Sequence, residues 1–389
     1  MAFCPDELLL FKICSYLPAK AIYRFKCTCK TVSNIVEETE FATKQTENSL
    51  KKDDTCFFLR HETPQTYDEK VELYPLPGKQ LSSGVSEDVL RFLSKSSTRM
   101  LASTKGLILL CLTTSNTYTP AVELFICNPA TKSWSNIPSP IQVQEKQLYA
   151  DPKMVLLEEC STGYMIIHFE VQTDWSADYP CNIYKSKEGL WKAMKRSFYA
   201  GGRNMKFEMP VYLNGAIHFI SDCFPYLTER SPFYRPYIMS YNLESCLSTM
   251  LRVPEDATHD LSCDCEMSIF SWGKAQSMSI CLVRLRKSVV TVWILTDYES
   301  HTWFRILEVA TQEMGLREED PKITGFTVIN GDLLILATET RVYSYGLTDD
   351  GNCMRVEEIC QHRFASKVCF TSYSDILRLC GPGATCLPC

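Results

Sequence analysis

Apolar residues near the start of the chain recur at the spacing of an α-helix. The first stripe, at positions i, i+1, i+4, i+5 and i+8, predicts an amphipathic helix and consists of Leu9, Leu10, Ile13, Cys14 and Leu17. Pro18 ends this helix, because proline disfavours helical geometry in the residue before it. Two further short stripes predict a second and a third helix; they comprise Ala21, Ile22 and Phe25, and then Cys29, Val32, Ile35 and Val36.

This helical module is too small to be stable on its own. Each helix is at or below the ~12 to 15 residues at which an isolated helix is marginal. A unit of roughly 40 residues also rarely buries enough surface to stand alone. The module therefore needs a surface to dock against, and periodicity alone leaves two possibilities, an external partner or the downstream domain.

A polar stretch follows the module, and the pattern then changes to that of β-strands. Residues 42–55 carry no apolar period, which predicts a domain boundary. From residue 105 onward, short apolar runs alternate with turn residues, which predicts a β-rich domain with few helices. Strands are predicted at 71–76, 106–111, 122–127, 164–171, 211–220, 237–242, 278–285, 288–296, 323–329, 332–338 and 341–345.

Two features repeat along these strands. A glycine precedes an apolar strand four times, at Gly106, Gly163, Gly215 and Gly331. A bulky residue follows a strand and a polar turn at positions 134, 191, 247 and 303, which are 57, 56 and 56 residues apart, and these residues are Trp134, Trp191, Leu247 and Trp303.

This period is close to the ~50 residues of a kelch propeller repeat. It predicts a ring of four-stranded blades, because ring closure protects strand edges. The three tryptophans are expected to pack between blades. Chain length divided by the repeat gives six or seven blades.

Composition and charge narrow the possible functions. The 389 residues are 45% hydrophobic and carry a net charge of -6, and 46 acidic side chains outnumber 40 scattered basic ones. A nucleic-acid partner is therefore not expected, because proteins that bind nucleic acid show a basic stripe.

The chain shows no signal peptide and no run of roughly 18 apolar residues, so we expect no membrane contact and a cytoplasmic or nuclear location. The 20 cysteines are expected to be free thiols.

The residues from Leu17 to Lys30 form the run Leu-Pro-Ala-Lys-Ala-Ile-Tyr-Arg-Phe-Lys-Cys-Thr-Cys-Lys. This run closely resembles the F-box of plant F-box proteins, and the resemblance continues to Phe41. Val32 stands where that family usually has tryptophan, and the loss of an indole would remove contact area from an interface.

The resemblance implies that the module docks on a Skp-type adaptor, which bridges to a cullin scaffold and a ubiquitin-conjugating enzyme. It also implies that Arg24, Phe25 and Cys29 help to set the packing of the helices. Carried over by position, the docking residues are Pro5, Leu9, Leu10, Ile13, Leu17, Pro18, Ile22 and Val32.

Residues 106–138 resemble the F-box-associated, kelch-like domain of the same plant proteins. The likeness rests on Gly106-Leu107 and on the run from Ile126 through Asn128-Pro129-Ala130-Thr131 to Trp134. The Asn-Pro segment is typical of a hairpin turn, because Asn favours turn initiation and Pro fixes φ.

The expected fold class is α+β multidomain. A three-helix F-box over residues 1–45 and a linker over 46–60 precede an all-β, kelch-like β-propeller over 61–378 and a flexible tail over 379–389.

Candidate chemistry is sparse. The six histidines lie in no zincin, kinase or hydrolase context, and no glycine-rich phosphate loop is present. The set His259, Cys263 and Cys265 lacks the second ligand cluster that structural zinc sites usually have. We therefore expect no metal, cofactor or catalytic activity.

The leading hypothesis is a non-catalytic substrate-recognition subunit of a Skp-cullin-F-box (SCF) ubiquitin ligase with an unidentified protein target. An interaction scaffold without ubiquitin transfer is the second hypothesis, and a propeller enzyme the third. Aromatic and arginine residues of one propeller loop are candidate target contacts, since these types often dominate interface energetics; the alternative is a loop packed on its own blade. The candidates are Phe224, Tyr226, Tyr234 and Arg235.

Overall fold

Helices at the start of the chain precede a ring of β-sheets in the computed structural model. The residues described are 5–50, 52–62, 70–79, 85–114, 121–140, 152–171, 177–224, 227–259, 265–274, 277–348, 356–364 and 366–387. Four helices lie before the first strand in this part of the chain: α1 (Pro5–Cys14), α2 (Ala19–Thr28), α3 (Lys30–Val36) and α4 (Thr39–Leu50). A fifth, α5 (Glu87–Leu93), lies between strands of the ring.

The strands of the described residues form six blades. Strands β1 (Cys56–His61) and β2 (Glu72–Pro75) belong to the last blade, blade 6. Blade 1 contains β3 (Thr98–Thr104), β4 (Leu107–Thr114), β5 (Ala121–Asn128) and β6 (Ser133–Ile137). Blade 2 contains β7 (Lys153–Cys160), β8 (Gly163–Phe169), β10 (Cys181–Lys185) and β11 (Leu190–Ala193). A separate two-stranded sheet packs between blades 2 and 3; it consists of β9 (Asp178–Tyr179) and β12 (Phe198–Tyr199).

The remaining blades follow in chain order. Blade 3 contains β13 (Val211–Leu213), β14 (Ala216–Ile220), β15 (Tyr237–Asn242) and β16 (Ser248–Arg252). Blade 4 contains β17 (Glu266–Trp272), β18 (Ser279–Arg286), β19 (Val289–Asp297) and β20 (Thr302–Ala310). Blade 5 contains β21 (Gly325–Ile329), β22 (Leu333–Ala337), β23 (Arg341–Gly346) and β24 (Val356–Gln361). Strand β25 (Val368–Tyr373) is the inner strand of blade 6, and β26 (Thr385–Cys386) extends the outer edge of blade 1.

The ring closes where β25 pairs with β1. The antiparallel register runs from Cys56 opposite Tyr373 to His61 opposite Val368. The N-terminal and the C-terminal part of the propeller sequence therefore share one blade, and β1 is paired on both edges, with β2 and with β25. The propeller prediction is confirmed, with six blades in the described chain.

The repeated residues occupy equivalent places in different blades. Gly106, Gly215 and Gly331 each lie in the hairpin between the inner and the second strand, and the residue before each glycine also has a positive φ. Two-residue hairpin turns of this kind require positive φ at both positions. Trp134, Trp191 and Trp303 lie in the fourth strand of blades 1, 2 and 4, and Leu247 directly precedes the fourth strand of blade 3.

Two of the tryptophans pack between blades, as predicted. Trp191 Nε1 donates a hydrogen bond to Pro138 O at 2.6 Å, and Trp303 Nε1 donates to Arg252 O at 2.9 Å. Each carbonyl lies at the end of the outer strand of the preceding blade. Trp134 instead donates to Thr385 Oγ1 at 2.9 Å, because β26 covers this edge of blade 1.

The segment expected to be a linker differs from the prediction. Helix α4 occupies Thr39–Leu50, and β1 begins at Cys56, so a fourth helix joins the three expected ones. The helix has no apolar period because several of its buried residues are polar, although the buried positions have helical spacing. These positions are Phe41, Ala42, Gln45, Thr46 and Ser49.

Other differences concern the tail and two stretches of the propeller. The tail is not a free end, because β26 pairs with β6 and the side chains of Cys380 and Leu387 are buried. The single strand expected over 211–220 is a hairpin of β13 and β14 that turns at Asn214 and Gly215. Helix α5 lies between the strands predicted at 71–76 and 106–111, where no helix was predicted.

The helical module docks on the propeller. Its core of Ile22, Val32 and Phe41 also includes two propeller residues, Ala130 and Leu377. Gln45 fastens the contact, because its Nε2 donates to Leu17 O at 3.1 Å and its Oε1 accepts from Leu377 N at 2.9 Å. The downstream domain is therefore one surface that stabilises these short helices.

Asn128 joins the hairpin of β5 and β6 to the segment after β25. Its buried Nδ2 donates to Ile376 O at 2.9 Å and to Arg378 O at 2.7 Å. Its Oδ1 accepts from Ala130 N at 3.0 Å and from the hydroxyl of Tyr373 at 3.2 Å. A single amide thus satisfies four buried groups, which explains the Asn-Pro-Ala-Thr segment better than turn geometry alone.

We predict that Asn128→Ala destabilises the propeller by about 2 to 4 kcal/mol, because each lost hydrogen bond is worth about 1 kcal/mol and the partners stay buried. Urea unfolding followed by tryptophan fluorescence measures the loss. Asn136→Ala is the matched control, since Asn136 is exposed on β6 of the same hairpin and should change stability by less than about 0.5 kcal/mol. Equal stability of the two variants would contradict the role given to Asn128.

Candidate functional site

Helix α1 carries apolar side chains on both of its sides. Leu10, Phe11 and Cys14 pack into the core of the module. Leu9 and Ile13, which are adjacent on the helix surface, remain 58% and 53% exposed. A surface helix normally has one polar side, so the second apolar side of α1 is a candidate docking surface.

The structure divides the predicted adaptor-contact residues into two groups. Leu9, Ile13 and Pro18 are exposed, and Leu10 and Leu17 are half-buried at the edge of the core. Pro5 begins α1.

Ile22 and Val32 are buried, at 0% and 4% exposure, and hold the helices together. Neither can reach a docked protein without rearrangement, which corrects the expectation for these two residues. Replacement of the family's usual tryptophan by Val32 therefore changes the core of the module and not its exposed contact area.

Sequence reasoning missed three exposed apolar residues, Leu8, Tyr16 and Phe25. Tyr16 follows α1, and its amide donates to Ile13 O at 3.2 Å, so it lies near the exposed side of the helix. Phe25 was expected to set helix packing with Arg24 and Cys29, but all three are exposed. The sequence showed that α1 is apolar, but it did not show which side of the helix the rest of the protein covers.

The module lies on one face of the propeller, here called the proximal face. The hairpins after the inner strands lie at this face; Lys105 Nζ, for example, donates to Lys52 O, just after α4, at 3.1 Å. Because neighbouring strands are antiparallel, the inner strands begin at the opposite, distal face. The loop between β14 and β15 lies at the distal face by the same alternation.

Arg203 organises that distal loop. Its side chain is fully buried and forms an ion pair with Asp222 at 3.2 Å. Its Nε donates to Phe233 O at 2.8 Å, and one terminal nitrogen donates to Phe224 O at 2.9 Å. The other terminal nitrogen donates to Tyr234 O. Backbone at both ends of the loop is thus held by one guanidinium.

The sequence carried a signal for this arrangement in Gly201-Gly202-Arg203. A Cβ on Gly201 would lie 2.4 Å from the hydroxyl of Tyr237, and one on Gly202 would lie 2.7 Å from the ring of Phe233. The two glycines let the backbone approach these aromatic rings closely, which places Arg203 under the loop.

The predicted target contacts meet different environments. Phe224 is 58% exposed at the distal face. Arg235 is exposed and pairs with Glu255 at 3.0 Å, whereas Tyr234 is half-buried. Tyr226 lies outside the described residues. Part of the loop is therefore packed on its own blade, and of the predicted contacts that the structure describes, Phe224 and Arg235 face outward.

Buried histidines in the propeller serve packing. Burial lowers the pKa of His168 and of His218 to about 4 each, so both rings are neutral at neutral pH. His218 Nε2 lies 2.8 Å from the hydroxyl of Tyr298 and links blade 3 to blade 4.

The described residues contain no group of three His, Cys, Asp or Glu side chains arranged to hold a metal. Cys263 of the candidate metal set lies outside them. The cysteines in the described ranges are free thiols. No described helix is both long enough and apolar enough to cross a membrane.

Comparisons with known proteins agree with this architecture. A family model described as F-box protein At3g26010-like, beta-propeller, matches residues 67–307. The curated F-box protein At5g49610 of Arabidopsis thaliana is 20% identical over 361 residues, which cover 88% of each chain.

Three solved structures match this chain loosely. Oligopeptidase B of Leishmania major matches with a TM-score of 0.38 and 8% identity over 80% of this chain and 53% of its own. The GH43 endo-arabinanase of Bacillus licheniformis matches with a TM-score of 0.29 and 11% identity over 71% of this chain and 92% of its own. Polysaccharide lyase Uly1 matches with a TM-score of 0.33 and 9% identity over 74% and 60%. With TM-scores below 0.5, none of the three says anything about the activity of this chain.

We predict that Ile22→Ala and Ile13→Ala have different effects on the helical module. Ile22→Ala should cost about 2 to 5 kcal/mol, because it opens a cavity in the core. Ile13→Ala removes the same atoms from an exposed position and should cost less than about 0.5 kcal/mol. Hydrogen exchange of the amides in α2 and α3 measures this local stability. Equal exchange in the two variants would contradict the assignment of buried and exposed sides.

Arg203→Lys should loosen the distal loop. Lysine keeps the charge but lacks the planar fork that reaches several carbonyls at once, so buried acceptors lose their donors at a cost of about 2 kcal/mol. Limited proteolysis and hydrogen exchange over residues 222–235 should both accelerate. Arg235→Lys is the control, because the exposed ion pair of Arg235 contributes at most about 1 kcal/mol. If both variants protect the loop equally, Arg203 is not its anchor.

Proposed function

This chain belongs to the family of F-box proteins with an At3g26010-like β-propeller, and from that premise we propose that it is the substrate-recognition subunit of an SCF ubiquitin ligase. The helical module docks on a Skp-type adaptor, and through it on a cullin scaffold. The propeller holds a protein target for ubiquitination. The chain supplies binding surfaces and no catalytic group.

The observation that supports adaptor docking best is the exposed apolar side of α1. Leu8, Leu9 and Ile13 each keep more than half of their surface in solvent, although burial of such side chains is worth about 1.5 to 3 kcal/mol each. The propeller already covers the other side of the module. An external protein is therefore the natural cover for the remaining side.

The separation of the two faces supports a receptor role. The module occupies the proximal face, whereas Phe224 and Arg235 point outward from the distal face. An adaptor on α1 and a target on the distal loop would not compete for space. Because the module is fastened to the propeller through Gln45 and Leu377, the two bound proteins would keep a defined relative position.

The test is a calorimetric titration of the purified full chain with a Skp-type adaptor. The double variant Leu9→Asp with Ile13→Asp should raise Kd by about 30-fold or more, which corresponds to the ~2 kcal/mol of an interface hot spot. Charged side chains at these positions would lose the apolar contact while leaving the module core intact.

Leu190→Asp is the control, since Leu190 is about as exposed, at 48%, but lies on outer strand β11 of the propeller. It should bind the adaptor as the wild type does. If the wild type shows no binding, the ligase assignment fails, and an interaction scaffold built from the same two parts becomes the better account. If the double variant binds as well as the wild type, the docking side has been wrongly assigned.

A further inference from the structure

A cavity of about 190 Å³ lies at the distal face beside the innermost strands. It is bounded by the first residues of β3, β7 and β25, by the end of β1, and by the segment before β13. Its charged lining consists of Arg60, Arg99, Lys153, Glu62 and Glu208. The volume is below the roughly 300 Å³ at which pockets for drug-sized ligands begin, so one small molecule or one side chain would fill it.

Arg60 is the unusual member of this lining. Its side chain is half-buried, and its Nε is buried without a hydrogen-bond partner among the described residues. It also forms no ion pair within the described ranges. A buried guanidinium nitrogen without an acceptor is costly, and an anionic ligand would remove that cost.

The placement of the charges favours an anion over a cation. Arg60, Arg99 and Lys153 are half-buried, whereas Glu62 and Glu208 are exposed at the rim. Exposed charges are screened by solvent and salt more strongly than half-buried ones. The interior of the cavity is therefore more positive than the count of three basic and two acidic groups suggests.

We propose that this cavity binds a small oxyanion, a carboxylate or a phosphate, through the guanidinium of Arg60. A planar guanidinium binds both classes with two parallel N–H···O bonds. The oxyanion can come from a free metabolite or from an acidic side chain of a protein that covers the distal face. The proposal does not depend on adaptor docking, and no adaptor enters its test.

The test measures thermal unfolding of the full chain in titrations with inorganic phosphate and with glutarate. Sodium chloride matches the ionic strength throughout. Each anion should raise the melting temperature, and the stabilisation should follow RT ln(1 + [L]/Kd), as it must for a ligand that binds only the folded state. Arg60→Gln should weaken this binding at least about tenfold, a change of about 1.4 kcal/mol.

Arg91→Gln is the matched control, because Arg91 is an exposed arginine of α5 that does not line the cavity. It should bind the anions as the wild type does. Arg60→Lys keeps the charge without the fork and should show intermediate affinity. The unliganded Arg60→Gln protein should melt no lower than the wild type, because the substitution removes an unsatisfied donor. If Arg60 had a purely structural role, the substitution would lower the melting temperature of the unliganded protein.

A comparison of glutarate with a capped Gly-Glu-Gly peptide distinguishes the two sources of the oxyanion, a free acid and an acidic side chain of a protein. Tighter binding of the peptide assigns the cavity to a target side chain, and tighter binding of glutarate assigns it to a free acid. Either result supports the oxyanion site. The proposal is overturned if no probe raises the melting temperature above the sodium chloride control at concentrations up to about ten times a Kd of ~1 mM. It is also overturned if Arg60→Gln and Arg91→Gln respond alike to the anions.

Discussion

The pairing of β25 with β1 determines how the whole molecule is assembled. It closes the propeller, and the chain that leaves β25 then runs along the proximal face as residues 374–380. There Leu377 enters the core of the helical module, and Arg378 donates to Gly163 O of blade 2 at 2.8 Å. Ring closure and module docking are therefore two results of one strand position.

This strand position requires close contact with neighbouring blades. A Cβ on Gly106 would lie 2.5 Å from the side chain of Ile376, and one on Gly325 would lie 2.3 Å from Val368 O. Any side chain at these two positions would push the closing segment outward. Gly106 thus has two functions, because its positive φ also forms the first hairpin of blade 1.

The alternation of antiparallel strands separates the two candidate interaction regions. Every inner strand begins at the distal face, so Arg60, the anchoring Arg203 and the outward-facing Phe224 lie on the side away from α1. Each blade is a hydrogen-bonded sheet, and its strands run from one face of the propeller to the other. The helical module can be held at a fixed distance from whatever the distal face binds, as the proposed receptor role requires.

The sequence by itself determined the repeating part of this protein. Recurring glycines before apolar strands, and bulky residues at a period of 56 or 57 residues, predicted the blades, because every blade repeats the same strand packing. Apolar residues at helical spacing predicted the helices of the module, and the run from Leu17 to Lys30 supplied the resemblance to an F-box. Helix α4 was missed because Gln45, Thr46 and Ser49 are buried through hydrogen bonds and not through apolar character.

Only the tertiary structure decided which apolar residues are available to a partner. Ile13 and Ile22 carry identical side chains at helical spacing, yet one is exposed and the other fully buried. Likewise, Arg60 is indistinguishable from a surface arginine in the sequence, although it lines a cavity. The physical reason is that periodicity reports which side of an element is apolar, whereas burial depends on the distant segment that covers it.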